Sequence, residues 1–383
     1  MTILFHNARK LDAAGQVDDF WMLVEGDTIA RTGSGPAEAA SVWAGAGERI
    51  DVGGHWFVPG FIDLHSHGGG GCSFDDGPEA IATALATHRA HGTTRSLLSL
   101  VASPLARVRE TLGIIAELTA SDPLVLGSHL EGPFLAEGRR GAHNPDFLRE
   151  PRPAIVEDLL RAGRGTIRQV TMAPERPGAM EAIDVLVEQG ITVAIGHTEA
   201  SFELAGEAFD RGARLLTHAF NAMPGIHHRK PGPVIAAFED ARVTLELILD
   251  GLHVNPDVAA LAFTQAPGRI ALITDAMAAA GSSDGDYRLG SLNVTVKDGL
   301  AVLSGTSTIA GSTLTQDTAL RIAVEHSRIA PAKAVEALTL TPARVLGLEK
   351  RFGYLRPGYA ADAVLLDHEW KVNSVWAAGR RLG

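Results

Sequence analysis

Short apolar runs that end in acid or imidazole recur along this chain. They read FVPGFIDLHSH, LVLGSHLEGP, ITVAIGHT, ARLLTHAF and RIALITDAM, and their last residues bring in His65, His67, Glu131, His197, His218 and Asp275. Runs this short and this rich in Val, Ile and Leu have the pattern of buried strands. Such runs lie near 57–64, 94–100, 124–130, 168–173, 191–196, 213–217, 243–249 and 270–274. Helix-like stretches separate most of them: PEAIATALATHRAHG, PLARVRETLGIIAELTA, AIVEDLLRAG, AMEAIDVLVEQG, ASFELAGEAFDRG and NPDVAALAFTQAPG. Several close on Gly, which tolerates the left-handed backbone after a helix end. Eight strand–helix units predict an α/β fold, a closed parallel (β/α)8 barrel of the TIM type.

The two ends of the chain have a different texture. ILFHNARKLD, FWMLVEGDTIARTG and ERIDVGGHWFV at the start, and GYLRPGYAADAVLLD and EWKVNSVWAAGRRL at the finish, read as short strands and turns. The expectation is a small β-sandwich domain from 1–55 and 350–383, flanking a barrel hydrolase domain over 56–349. After the eighth strand, YRLGSLNVTVKDGLAVLSG reads as a hairpin turning at Asp298-Gly299. Helices follow at about 312–327, 331–338 and 341–347. The run Gly68–Gly71 precedes no dinucleotide-type helix and reads as a flexible rim.

Composition narrows the role. The 383 residues are 45% hydrophobic, ample for a large core, and carry a net charge of −11. That charge argues against nucleic-acid and anionic-membrane partners. The single cysteine, Cys72, excludes an internal disulfide and fits a reducing cytosol. MTILFHNARK lacks the apolar stretch of a signal peptide, and no run approaches the roughly 20 residues a membrane span needs. The expectation is a soluble, cytoplasmic protein.

Strand ends far apart in sequence meet on one face of a parallel barrel, where barrel enzymes build their sites. His65 and His67 alternate on one strand, so both imidazoles face the same way. Taken singly, each signal has an ordinary explanation. An H-x-H is often a surface accident, a carboxylate after a strand is normally solvated, and a lone strand-end histidine is commonly a hydrogen-bonded core residue. Strands 1, 3, 5, 6 and 8 all ending in ligand types point instead to a metal centre. Imidazole plus carboxylate suits Zn²⁺, and also Fe²⁺, Mn²⁺ or Co²⁺. Asp275 is the candidate general base, because a divalent ion acidifies water toward a pKa of about 7 and a nearby carboxylate can take that proton and pass it to a leaving amine.

These segments resemble the amidohydrolase superfamily and, within it, the N-acetylglucosamine-6-phosphate deacetylases. The broader signal is PGFIDLHSH followed by spaced histidines and a terminal Asp. The narrower one is SHLEGPFL, RRGAHN, GHT, THAFNAMPGIHHRKPG, DGLHV, TDAM and AGSTLTQD, in order from about residue 56 to 320. Many amidohydrolases bridge two metals with a carbamylated lysine, but this chain has no lysine between Lys10 and Lys230. The resemblance implies that Glu131 serves there, as in the deacetylases.

What the resemblance implies is specific. Glu131, His197 and His218 would hold the tighter metal, and His65, His67 and Glu131 a second. His143 would hydrogen-bond the acetyl carbonyl. Ala142, His143, Asn221, Ala222 and Ile309 would contact the sugar phosphate, and Arg229 and His253 its phosphate. The run His227-His228-Arg229-Lys230 is the densest basic cluster of an acidic chain. The implied reaction is deacetylation of N-acetyl-D-glucosamine 6-phosphate by a homodimer, with Arg229 and His253 reaching a neighbour's pocket. Deacetylation of another acetamido sugar phosphate, such as the galactosamine epimer, is the alternative of like chemistry. A non-catalytic scaffold is the alternative of another class, and the retained ligands oppose it.

Overall fold

A computed structural model describes residues 2–35, 42 and 46–382. Eight strands form one sheet: β1 Phe61–Asp63, β2 Thr93–Val101, β3 Val125–Glu131, β4 Ile167–Met172, β5 Thr192–Ile195, β6 Leu215–Leu216, β7 Thr244–Ile248 and β8 Ile270–Ile273. Their order in space is their order in sequence, and the registers from β2 to β8 are parallel. The ring closes just beyond β1 and β8. There Ser66 bridges Ala276 in parallel, the Asp275 N–H donates to the His65 carbonyl (2.8 Å), and the His67 N–H donates to the Ala276 carbonyl (2.7 Å). This is the predicted parallel barrel.

The strands read as continuous apolar runs because both faces are covered. All four residues of β8 and all nine of β2 are buried. Helices α1 Pro78–Ala90, α2 Leu105–Ser121, α3 Pro153–Gly163, α4 Ala179–Glu188, α5 Phe202–Asp210, α6 Gly232–Glu239 and α7 Pro256–Gln265 alternate with the strands. Helix α6 was not expected from the sequence. Its start, PGP, looks like a breaker, yet Pro at the cap and in the first turn removes only N–H groups that have no partner there, and Gly232 accommodates the positive φ of 74°.

Three local expectations are corrected. The run 57–64 is two strands, Trp56–Pro59 in another sheet and Phe61–Asp63 in the barrel. They part at Gly60, where any Cβ would collide with the Thr94 side chain. The hairpin after β8 is a three-stranded meander of Gly285–Leu289, Leu292–Lys297 and Leu300–Leu303. Its turn at Asp298-Gly299 has positive φ at both residues, as a type I′ turn requires. The additional strand, GDYRL, is mostly exposed and so lacks an apolar signature. The Gly68–Gly71 run is a packed turn rather than a loose rim: Gly68–Gly69 pairs with Cys72–Ser73, and a Cβ on Gly68 would strike the Cys72 carbonyl.

The described residues divide into two compact units, one from Met1–Asp63, His88–Arg95 and Gln316–Gly383, the other from Leu64–Thr87 and Ser96–Thr315. In the first, both chain ends build a sheet ordered Arg380–Leu382, Val372–Ala377, Ala363–Leu366, Trp56–Pro59, Thr2–Asp12, Gly15–Glu25 and Thr28–Ser34, with Glu48–Asp51 also on Thr2–Asp12. Strand alternation splits its core: Ile3, Phe5, Met22 and Val24 join one apolar cluster, and Leu4, Trp21 and Leu23 another. Arg95 and Asp362 pair bidentately at 2.6 and 3.0 Å in this unit, as two buried charges must. No helix among the described residues is long and apolar enough to cross a membrane.

Candidate metal centre and active site

Glu131, the last residue of β3, is the hub of the second unit. Its Oε1 lies 3.1 Å from His197 Nε2, 3.1 Å from His218 Nε2 and 3.3 Å from His65 Nε2. Its Oε2 lies 3.1 Å from His67 Nε2 and 3.3 Å from His143 Nε2. Asp275 Oδ1 is 3.3 Å from His67 Nε2 and 3.5 Å from His65 Nε2. The alternation argument holds for His65 and His67, whose Nε2 atoms are 3.1 Å apart. The strand-end donors that the sequence singled out thus meet in one place, all buried.

The donor set fits a divalent cation. Donors bound at roughly 2.0–2.2 Å to one ion lie about 2.9–3.5 Å from one another, depending on octahedral or tetrahedral geometry. His197, His218 and Glu131 show 2.9–3.1 Å. Among the described residues, two groups each bring one donor atom per residue within 4.8 Å of one another: His65, His67, Glu131 and Asp275, and Glu131, His143 and His197.

Outer partners fix which ring nitrogen faces the site. His197 donates its Nδ1–H to the Arg139 carbonyl (2.8 Å), and His65 turns Nδ1 to the Glu246 carboxylate (3.3 Å), so each presents Nε2 inward. The Ala102 N–H donates to His143 Nδ1 (3.2 Å), which leaves the His143 proton on Nε2.

Electrostatics favour a cation as well. Burial works against charge on Glu131, but His65 and the adjacent imidazoles of His143, His197 and His218 hold its carboxyl well below the usual range. Against the same penalty, His65 and His67 depress Asp275 to about 2. The two carboxylates in turn overcome burial to hold His65 well above an ordinary imidazole and lift His67 to about 9. His143 goes the other way, pushed down to about 4 by burial. Two ionised, buried carboxylates demand compensating positive charge. Protonated imidazoles can meet that demand, and a divalent ion meets it with the imidazoles as ligands.

The backbone carries strain at the same points. His197, His218 and Asp275 have φ of 47°, 27° and 48°, each just past its strand. A non-glycine residue there costs on the order of 1–3 kcal/mol, and such residues cluster at functional sites.

Glu131, His197, His218 and Asp275 open onto a cavity of about 300 Å³. Ala142, His143, Asn221, Ala222, His253 and Ile309 also line it. Arg229 does not: it is exposed, with Nη1 2.9 Å from His228 Nε2. His253 lines the cavity of its own chain. Its Nδ1 is 2.7 Å from Asp250 Oδ2, which raises the imidazole pKa against the effect of burial.

Three residues escaped the sequence reading. His129 is buried between Ser99 Oγ (2.9 Å) and Thr171 Oγ1 (2.8 Å), and burial, with His65 beside it, keeps it well below an ordinary imidazole. It precedes Glu131 by two positions, so strand alternation was a usable signal. Glu246, fully buried, accepts from Gln169 Nε2 (2.9 Å) besides facing His65, and was the one charged residue inside the apolar run VTLELIL. Arg139 lines the cavity with no preceding strand to announce it.

A model of the amidohydrolase family matches residues 56–382. The chain belongs to the amidohydrolase family. This amidohydrolase is 38% identical to N-acetylgalactosamine-6-phosphate deacetylase of Escherichia coli O157:H7, over 99% of each chain. It is 37% identical to N-acetylglucosamine-6-phosphate deacetylase of Bos taurus, over 87% of this chain and 85% of the relative. It also matches the solved structure of a mutant N-acetyl-D-glucosamine-6-phosphate deacetylase from Mycobacterium smegmatis in complex with N-acetyl-D-glucosamine-6-phosphate. That match has a TM-score of 0.92 and 40% identity, over 100% of this chain and 99% of the other. The resemblance carried by SHLEGPFL and its companion segments is borne out.

Proposed function

We propose that this amidohydrolase hydrolyses the acetamide of N-acetyl-D-glucosamine 6-phosphate, a linear amide, to D-glucosamine 6-phosphate and acetate in amino-sugar breakdown. One observation carries the reading. Glu131, His197, His218 and Asp275 converge on a cavity of about 300 Å³, a volume suited to a single sugar, in a chain similar over most of its length to deacetylases of 6-phosphorylated acetamido sugars.

Glu131, His197 and His218 would hold one divalent ion, for which we favour Zn²⁺, and His65 and His67 with Glu131 would hold a second. When bound, such an ion polarises the amide carbonyl and lowers the pKa of water. Asp275 takes a proton from the attacking water and returns it to the nitrogen, so that the C–N bond breaks with a neutral amine leaving. His143 carries its proton on Nε2, at the cavity, and donates it as a hydrogen bond to the carbonyl oxygen as negative charge develops there. Ala142, Asn221, Ala222 and Ile309 shape the sugar site, and His253, held by Asp250, faces the phosphate.

A homodimer in which Arg229 enters the partner's cavity is part of the proposal. Supporting it, Arg229 lies outside its own cavity, and Ile226, three positions before it, is an exposed large apolar side chain. A cytoplasmic setting is supported by the single, unpaired Cys72.

The test is acetate release from N-acetylglucosamine and N-acetylgalactosamine, each with and without 6-phosphate. Turnover greatest on the phosphorylated gluco sugar is expected. The galactosamine epimer is not better supported, although the E. coli relative is named for it. Preference for it in the panel would move the assignment to that epimer, and no release from any sugar would favour the scaffold.

A further inference from the structure

Among the residues lining the cavity, Arg139 alone carries a permanent positive charge. It ends the 3-10 turn Glu137–Arg139, in the connection that follows β3. Its backbone is pinned at both ends. The Arg139 N–H donates to the Ala136 carbonyl (3.1 Å), and its own carbonyl accepts from His197 Nδ1 (2.8 Å). The Ala136 N–H in turn donates to the His197 carbonyl (2.9 Å). The loop is therefore fastened to a candidate metal ligand through main-chain atoms.

The side chain is not fastened. Its guanidinium has no hydrogen-bond or ion-pair partner among the described residues, although Arg139 is half-buried. Other arginines of the same unit are committed: Arg140 to the Glu137 carbonyl (3.1 Å), Arg109 to Asp158 (2.6 Å) and Arg211 to Asp184 (2.6 Å). A half-buried arginine whose guanidinium has five donors and no partner, among the residues lining a substrate cavity, is set up to receive an anion. The chain as a whole carries −11 and repels a phosphate dianion, so the attraction must be local. Arg229, the basic residue the sequence pointed to, stands outside this cavity.

We propose that Arg139 is a second phosphate contact supplied by the chain's own cavity, beside His253, and that its guanidinium makes the enzyme select 6-phosphorylated over free acetamido sugars. This rests on the deacetylase reading. Arginine pairs with phosphate through two parallel N–H···O bonds, whereas lysine offers a point charge. Arg139→Lys is therefore expected to keep part of the selectivity, and Arg139→Ala to lose it.

The experiment compares wild type, Arg139→Ala and Arg139→Lys, each loaded with the same divalent ion, on N-acetylglucosamine with and without 6-phosphate. Inorganic phosphate is titrated as a competing ligand. Arg139→Ala is expected to raise KM for the phosphorylated sugar about 10- to 150-fold, the loss of one charge-assisted contact, with kcat within a few-fold. KM for the free sugar should stay as in wild type, and inhibition by inorganic phosphate should weaken by a similar factor. Bound metal and melting temperature should match wild type, because the contact to His197 is made by the backbone. Equal KM changes on both sugars, an unchanged KM on the phosphorylated sugar, or loss of metal would each overturn the assignment. Wild type that releases no acetate from either sugar would defeat the deacetylase reading itself. Calorimetric binding of inorganic phosphate to wild type and Arg139→Ala would then still decide whether Arg139 binds phosphate.

Discussion

The Nε2 atoms of His197 and His218 lie 2.9 Å apart, and Glu131 Oε1 is 3.1 Å from each. Two ring nitrogens at that separation repel unless a proton or a cation lies between them. His197 commits its Nδ1–H to the Arg139 carbonyl, so its inward nitrogen offers a lone pair. Two imidazoles and a carboxylate brought this close, in a buried site, form a cation site first and a hydrogen-bond cluster second.

Removal of metal should therefore stop turnover. Chelation should abolish acetate release, and a divalent ion, Zn²⁺ among them, should restore it. His197→Ala and His218→Ala should lose bound metal, read by elemental analysis, while circular dichroism shows a folded barrel. Full activity in metal-free His197→Ala protein would exclude this centre.

Asp275→Asn should separate metal binding from catalysis. The change is nearly isosteric and removes the basic oxygen that sits 3.3 Å from His67 Nε2. Metal content should stay close to wild type, and kcat should fall by at least the 10²–10⁴-fold typical of general acid–base work. A variant within a few-fold of wild type would remove Asp275 from the role of base.

Subunit mixing tests whether Arg229 acts across a dimer. Asp275→Asn subunits lack the base and Arg229→Ala subunits lack the phosphate contact. If the site is shared, a mixed dimer has one pocket with both defects and one with neither. Co-refolding should then restore about a quarter of wild-type activity, since half the dimers are mixed and each holds one intact pocket. No recovery, despite confirmed subunit exchange, would place Arg229 in its own chain's site.

The first unit carries a pH-dependent contact. His91 Nδ1 is 3.1 Å from both Asp317 carboxylate oxygens. The hydrogen bond to Asp317 raises the imidazole pKa above its ordinary 6.5, outweighing partial burial. A raised folded-state pKa means the stabilisation is complete below about 6.5 and is lost as pH climbs through the folded value. His91→Asn should therefore lower the melting temperature more at pH 6 than at pH 9. An equal drop at both would show that the pair contributes no charge-dependent stability.

Much of this architecture was legible in the sequence by itself. The parallel strands are buried on both faces, so each appears as an unbroken apolar run. A polar donor closing one such run has an ordinary explanation, but donors closing several of them together exposed Glu131, His197, His218 and Asp275 as a set. Local chemistry also determined the type I′ turn at Asp298-Gly299, because only residues tolerant of positive φ fit it.

Only the tertiary structure decided the rest. Whether Trp56–Pro59 and Phe61–Asp63 are one strand or two depends on Thr94 pressing against Gly60, a contact with a residue 34 positions away. Nothing local marks Glu246 as part of the site; the fold alone sets its carboxylate against His65, 181 positions earlier. Arg229 and Arg139 are indistinguishable as charges along the chain. The cavity takes in Arg139, whose carbonyl is held by His197, and leaves Arg229 at the surface, farther along the loop after β6 than the cavity-lining Asn221 and Ala222. Periodicity and residue type record which face a side chain takes within its own element. They do not record which distant element will stand opposite, and a metal centre or a phosphate contact is made of such oppositions.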